Sequence, residues 1–111
     1  MELIYRKPTL KEMKLIKLLI NISGLTFPDW EKNLIVCEMN DDKMGSLLLM
    51  TDIQTNNSLR IFGKQISDYQ YVDSDGVDVI VSLNIDNNNQ LYELDIWKTD
   101  FSPLNKFPDI Q

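Results

Sequence analysis

A helical period of apolar residues stands out near the start of the chain. Between residues 9 and 23 the apolar positions cover about half of a helical circumference, and lysines occupy the opposite side. These positions are Met13, Leu15, Ile16, Leu19, Ile20 and Ile22. Thr9 and Glu12 fit a capping box directly after Pro8, which cannot lie inside a helix. Because Gly24 is a typical stop, the pattern predicts one amphipathic helix over residues 9–23.

The remainder of the chain is typical of short strands separated by polar turns. Apolar alternation predicts strands at residues 34–39, 46–53, 58–62, 65–72, 77–86 and 91–98. Asp75 and Gly76 form a strong hairpin dipeptide between two of them. We therefore expect an α+β fold, with the N-terminal helix packed on one face of a meandering antiparallel sheet of about five to six strands. Two prolines predict that the C-terminal tail, residues 101–111, is extended.

The last two strands form a hairpin whose two faces differ in chemistry. If Asp86 lies opposite Leu91, then Glu93 lies opposite Asn84, Asp95 opposite Ser82 and Trp97 opposite Ile80. One face is then the core, with Val79, Val81, Leu83, Ile85, Tyr92, Leu94 and Ile96. The other face is polar and acidic, as expected for a solvated side of an antiparallel sheet. Trp97 has two interpretations: the tail covers it, or it is an exposed anchor for a partner. Phe101, Leu104 and Phe107 are expected to hold the tail over the core.

Length and charge limit the classes of protein that fit. The chain has 111 residues, which predicts one domain, and a formal net charge of −6. The first 17 residues carry +3 and the rest carry −9. An acidic body argues against nucleic acid as a partner and fits a basic protein, although an acidic surface also simply keeps a protein in solution. Without an apolar run long enough for a signal peptide or a membrane span, we expect a cytoplasmic protein.

Three motifs carry a resemblance to a known family. They are RKPTLKE at residues 6–12, MGSL at residues 44–47, and ELDIWKTDFSPL at residues 93–104 followed by KFP. With these motifs the chain resembles a family of small bacterial proteins of unknown function. The resemblance extends from Arg6 to Pro108 and implies a single bacterial domain. It carries over no activity and no catalytic residue.

The residue types present exclude several chemistries. The chain has no histidine and one cysteine, so Ser/His and Cys/His nucleophiles and the usual zinc sites are excluded. Cys37 is expected to be a buried strand residue. Asp73, Asp75 and Asp78 superficially resemble a calcium loop, but their spacing is wrong for an EF-hand. Glu93 and Asp95, with carboxyls roughly 6 to 7 Å apart on one strand, are the only candidates for paired-carboxylate catalysis.

The sequence therefore favours a binding role over catalysis. We expect a small acidic protein-binding module, of the type that immunity proteins use to inhibit a basic bacterial toxin, without cofactor, metal, nucleic acid or membrane. The predicted partner-binding residues are Asp41, Asp42, Met44, Asp86, Glu93, Asp95 and Trp97. A housekeeping domain of unknown role and an enzyme that uses carboxylates alone are the alternatives.

Overall fold

A computed structural model describes residues 4–40, 43–51 and 60–110. Two helices and six strands follow one another along the chain. They are β1 (Tyr5–Arg6), α1 (Leu10–Ser23), α2 (Trp30–Asn33), β2 (Ile35–Glu38), β3 (Leu47–Met50), β4 (Phe62–Val72), β5 (Asp78–Asp86) and β6 (Leu91–Lys98). All strand pairs are antiparallel, and α1 packs against the single sheet, which confirms the α+β prediction.

The order of strands across the sheet departs from a simple meander. Neighbouring strands run β1-β2-β3-β6-β5-β4, so two sets of three strands meet where β3 pairs with β6. The chain that leaves β3 crosses to the far edge of the sheet to form β4, then returns toward the centre through β5. The last strand of the sequence is thus a central strand of the sheet.

Helix α1 forms as its sequence predicts. The Thr9 hydroxyl accepts the Glu12 backbone N–H at 3.2 Å, the Glu12 carboxylate accepts the Thr9 N–H at 2.8 Å, and Gly24 ends the helix with a left-handed conformation. Its core face buries Leu15, Ile16, Leu19 and Ile20, whereas Ile22, expected on the same face, is exposed. The capping carboxylate of Glu12 is also buried, because Arg6 of β1 binds it through two hydrogen bonds.

Several predicted boundaries change because of bulges and packing. Of the two strands expected around Gly63, the second (65–72) lies within β4, whereas only Phe62 of the first (58–62) does; residues 60 and 61 are not in a strand, and 58 and 59 lie outside the described residues. Strand β4 runs through Gly63 with register shifts at Phe62–Lys64 and Gln65–Ser67. A Cβ at Gly63 would lie 2.4 Å from the Asp86 carbonyl oxygen, so only glycine fits this bulge. Strand β1 and helix α2, which buries Trp30, were not predicted.

The final hairpin confirms most of the predicted register. Glu93 pairs with Asn84, Asp95 with Ser82 and Trp97 with Ile80. A bulge at Tyr92 corrects the loop end: Leu91 pairs with Ile85 rather than with Asp86. Leu91 therefore enters the core in place of Tyr92, whose half-buried ring lies 5.0 Å from the Arg60 guanidinium.

The side chains of this hairpin divide between two sides of the sheet. Val79, Val81, Leu83, Leu94 and Ile96 are buried in the cluster that also contains the apolar residues of α1. The alternate residues of β4, β5 and β6 face away from α1, and we call that side the open face. Cys37 is buried, as predicted for a structural cysteine.

Candidate protein-binding surface

Cross-strand pairing collects the acids of three strands on the open face. Glu93 is level with Asn84, and one row further Asp68, Ser82 and Asp95 lie side by side. Asp78 lies on the same side at the start of β5. Among the described residues of β4, β5 and β6 that point to this face, none is lysine or arginine. The open face therefore carries acids from all three strands, with uncharged residues between them.

Glu93 and Asp95 are the most constrained acids of this surface. The buried Asn84 side chain donates a hydrogen bond from Nδ2 to Asp95 Oδ2 at 2.8 Å, which fixes the orientation of that carboxylate. Partial burial raises the pKa of Glu93, and the neighbouring Asp95 charge raises it further, against smaller opposing effects of Asn84 and Arg60. Like charges two residues apart on a strand repel each other, so a cation bound here would relieve an existing strain.

An aromatic pair, Trp97 and Phe101, lies at one end of the open face. Their ring centroids are 5.9 Å apart with the planes inclined at 49°, and the side chains remain 42% and 64% exposed. Of the two interpretations of Trp97, exposure fits this geometry, since its aromatic neighbour in the tail is itself more exposed. Half-buried Ile80 is level with Trp97 on the next strand, and exposed Val72 lies at the end of β4.

The backbone of Phe101 is in an unusual conformation. Its φ of 62° lies in the left-handed region, and its N–H donates to the Lys98 carbonyl at 2.9 Å to close the turn after β6. For a residue with a Cβ this conformation costs about 1 to 2 kcal/mol. This conformation keeps the Phe101 ring at the surface. Because the ring is mostly exposed there, it gains little free energy from packing within the chain.

Two predicted binding residues lie elsewhere. The Asp86 carboxylate is buried, 2.9 Å from Arg60 Nε, and it also accepts the backbone N–H groups of Asn88 at 2.7 Å and Gln90 at 3.0 Å. Met44 is buried too, and its sulfur accepts the Lys98 backbone N–H at 3.4 Å. Asp41 and Asp42 lie outside the described residues. Of the predicted set, the structure brings together Glu93, Asp95 and Trp97 on the open face.

Arg60 is the residue that sequence reasoning missed at the Asp86 end of the hairpin. Its Nη2 donates to the carbonyl oxygens of Leu49 and Leu91, both at 2.8 Å, so one guanidinium joins β3, β6 and the β5–β6 loop. The polar loop after Asp86 was a usable sign, because an aspartate before such a turn commonly accepts the following backbone N–H groups. No local pattern identified Arg60 as its partner.

A second buried charge cluster lies on the α1 side of the sheet. The ammonium of Lys98, whose side chain is fully buried, lies 2.9 Å from Asp73 and 2.6 Å from Asp75, and it donates to the Pro103 carbonyl at 3.2 Å. Asp73 accepts the backbone N–H groups of Asn105 at 2.8 Å and Lys106 at 2.9 Å. Two of the three aspartates that superficially resembled a calcium loop, Asp73 and Asp75, thus bind Lys98, and Asp73 also binds the tail.

The pKa shifts agree with this arrangement. Burial would raise the pKa of Asp73, but hydrogen bonds from the Asn105 backbone, from Lys98 and from the next backbone N–H groups outweigh it and hold the pKa well below its usual range. Burial would lower the pKa of Lys98, and the hydrogen bonds to Asp75 and Asp73 reverse that and raise it. Both groups are therefore charged at neutral pH.

Residues 4–40, 43–51 and 60–110 contain no group of acids or cysteine arranged to hold a metal ion. In the same ranges no helix is long and apolar enough to cross a membrane.

The fold and this surface define an α+β protein with one helix-covered face and one acidic, partly aromatic face. Comparison with family models places the chain more specifically. It belongs to the family described as domain of unknown function (DUF6984), whose model matches residues 5–108. Neither the search of curated proteins nor the search of solved structures returned a match.

Proposed function

We propose that this protein is a small acidic protein-binding module whose open face binds a basic protein partner. The observation that carries the proposal is the exposed aromatic pair beside the acidic side chains of the open face. Tryptophan is enriched among the residues that dominate binding energy, and acids around such an anchor increase the rate of encounter with a basic partner.

The distribution of strain and charge supports the same role. Phe101 occupies a costly backbone conformation that keeps its ring exposed next to Trp97. Glu93 is held beside Asp95 at the cost of a raised pKa. Both features are unfavourable in the free protein and become favourable when an apolar and cationic surface covers them.

The specific form that we propose is an immunity-type inhibitor of a basic bacterial toxin. A small chain of net charge −6 without histidine suits stoichiometric neutralisation of a basic protein. Asp41, Asp42, Asp86 and Met44 were part of the predicted surface. We centre the proposal on Glu93, Asp95 and Trp97, because Asp86 and Met44 are buried and engaged within the chain.

One observation favours the alternative of an enzyme that uses carboxylates alone. The raised pKa of Glu93 beside Asp95, which Asn84 orients, resembles the division between a general acid and a charged carboxylate. In that case Glu93→Gln abolishes turnover of a substrate. In a binding module the same isosteric change weakens affinity modestly, since only one charge of several is lost.

The test is a comparison of matched baits in extracts of the source cell. Wild type, Glu93→Lys with Asp95→Lys, and Trp97→Ala are immobilised beside Glu31→Lys with Asp109→Lys, which alters net charge equally at exposed positions outside the open face. A retained protein is purified and its binding to every variant is measured. We expect a basic protein that binds wild type and the Glu31/Asp109 control alike and the open-face variants at least tenfold more weakly. Equal binding to all four proteins would show that the open face is not the interface.

A further inference from the structure

The two edge strands of the sheet differ greatly in length. Strand β1 at one edge has two residues, whereas β4 at the other edge has eleven. An edge strand presents a row of backbone N–H and C=O groups with which another strand can pair, and proteins commonly shorten, charge or bulge such edges. In β4 both register shifts fall between Phe62 and Ser67, so residues 67–72 form a regular stretch along the edge.

The hairpin to β5 shows which backbone groups of this stretch point outward. The Asp73 N–H donates to the Val77 carbonyl at 2.9 Å, and the pairing with β5 is regular from there back to residue 67. Because the backbone groups of successive residues alternate in direction, Asp68, Gln70 and Val72 point theirs away from β5. Within the described part of the chain, none of these outward groups has a hydrogen-bond partner.

Two tyrosines of the same stretch lie on the α1 side of the sheet. Tyr69 and Tyr71 are half-buried, and their ring centroids are 6.3 Å apart. The C-terminal tail contacts β4 at the Tyr71 hydroxyl, which donates to the Lys106 carbonyl at 3.0 Å. Since β4 is the last strand at this edge, no further strand of the sheet covers the two rings on their outer side.

A strand of the same sequence matches this edge best in one antiparallel register. If Gln70 pairs with Gln70 of a second copy, then Asp68 pairs with Val72, and all three outward residues of each copy are used. This register gives about six backbone hydrogen bonds. Tyr69 then lies directly opposite Tyr71, and aromatic cross-strand pairs stabilise a sheet. A register centred on either tyrosine uses only two of the three outward residues, and one centred on Asp68 sets like charges opposite each other.

We propose that β4 pairs through its outer edge with β4 of a second copy of this chain, antiparallel and centred on Gln70. The two sheets then join into one across a two-fold axis, and the same surface of each copy forms the interface. A second copy fits this edge because its own sequence sets tyrosine opposite tyrosine and keeps like charges apart. The paired stretch is short, so the dimer is weak and reversible.

Pairing at the edge leaves the open face uncovered. The dimer is therefore compatible with a basic partner bound to Glu93, Asp95 and Trp97, and it does not depend on that partner. It is tested with the purified chain alone, so its failure would leave the proposed function standing.

Salt should strengthen this dimer, because each chain carries a net charge of −6 and two copies repel each other. Sedimentation velocity at increasing protein concentration, at about 0.05 M and about 0.5 M salt, measures the dissociation constant. We expect a concentration-dependent dimer whose dissociation constant is about threefold lower at the higher salt. A chain that stays monomeric at the higher salt up to the highest attainable concentration would overturn the proposal. Association that salt weakens would assign the contact to charged surfaces and would also overturn it.

A proline substitution identifies the edge. Gln70→Pro removes an outward N–H that pairs with nothing in the described structure, and proline is tolerated at such edge positions. Urea denaturation should therefore show a folded chain, and sedimentation should show dimerisation at least tenfold weaker than in wild type. Unchanged dimerisation would place the contact elsewhere and overturn the proposal.

A charge pair tests the register without relying on proline. Residue 70 lies opposite itself across the two-fold axis, so Gln70→Lys and Gln70→Glu should each weaken the dimer, and an equimolar mixture should regain it. Gln65→Lys and Gln65→Glu are the controls, since Gln65 is exposed on the same face but lies in the bulged part of β4. Each Gln70 variant should dimerise about threefold more weakly than the Gln65 variant of equal charge. Equal dimerisation of the two, or no recovery in the mixture, would overturn the proposal.

Discussion

Two groups of carboxylates in this protein differ in almost every property except residue type. Asp73 and Asp86 are buried, each binds a basic side chain within 3 Å, and each also accepts backbone N–H groups. Glu93 and Asp95 lie on the open face, where the first is half-buried with a raised pKa and the second is oriented by an amide. The first group closes loops and fixes the tail. The second group lies at the partly exposed surface of the sheet and closes no loop, so the surroundings of a carboxylate determine its role more than its charge does.

The largest effect should follow from breaking a buried pair. Asp86→Asn keeps the size of the side chain but removes the buried negative charge 2.9 Å from Arg60 Nε, which should lower the free energy of unfolding by about 3 kcal/mol or more. The matched change on the open face is Asp68→Asn at an exposed position, with an expected effect within about 0.5 kcal/mol. Urea denaturation of both variants measures the difference. Similar values for the two would mean that the Arg60–Asp86 pair contributes little to stability.

The next effect concerns binding by the open face. Trp97→Ala should mainly raise the off-rate of the basic partner, with a loss of roughly 2 kcal/mol or more. Glu93→Lys with Asp95→Lys should lower the on-rate and flatten its dependence on salt. Surface-binding kinetics at two salt concentrations separate the two results, and circular dichroism controls for folding. Off-rates and on-rates that match wild type would remove the open face from the binding site.

The two groups should respond to pH with opposite sign. The folded-state pKa of Asp73 is lowered, so its contribution to stability is present above the pKa of the unfolded chain, about 4, and is lost as pH falls through the folded value. Asp73→Asn should therefore destabilise at pH 7 by an amount that shrinks in acid. The folded-state pKa of Glu93 is raised, so Glu93→Gln should stabilise slightly at pH 7, and this gain should disappear as pH falls through the folded pKa. Chemical denaturation from pH 3 to pH 7 measures how each substitution changes the free energy of unfolding. If the two changes had the same sign and the same pH dependence, the contrast would be wrong.

The smallest effect concerns the one cysteine. Cys37 is buried on β2 and its sulfur is 3.7 Å from the Glu38 carbonyl oxygen. Cys37→Val should change stability by less than about 1.5 kcal/mol, whereas Cys37→Ser should destabilise more, because it buries a hydroxyl. A thiol reagent should react slowly with the native protein and rapidly after unfolding. Fast labelling of native protein would show that the open side of β2 is accessible.

Local patterns predicted the parts of the fold that local interactions determine. Helix α1 follows from Thr9, Glu12 and Gly24, and the predicted register of the final hairpin holds from Asn84–Glu93 onward, although the bulge at Tyr92 changes the pairing next to the loop. The order of strands was not predictable in this way, because the crossing from β3 to β4 depends on packing between distant segments. Lys98 did carry a usable sign: it is in phase with Leu94 and Ile96 and therefore points toward the core side.

Only part of the candidate binding surface could be predicted from the sequence. Alternation along β6 placed Glu93, Asp95 and Trp97 on one side of the sheet, and cross-strand pairing agrees. Asp86 was included because alternation along β5 puts it in phase with Ser82 and Asn84, but its carboxylate is buried against Arg60, which the sequence did not reveal. Phe101 was expected to hold the tail on the core, yet its exposed position depends on a left-handed turn that phenylalanine rarely adopts.

The central position of β6 has a consequence for how the chain is synthesised. Strands β3 and β5 each need β6 as a neighbour, and β6 is the last of the six to be made. Until it emerges, the sheet exists only as two separate halves, each with an unpaired inner edge open to unrelated chains. Cooperative folding of the sheet therefore has to wait until β6 has been translated, and the long separation between β3 and β6 predicts slow closure once it has.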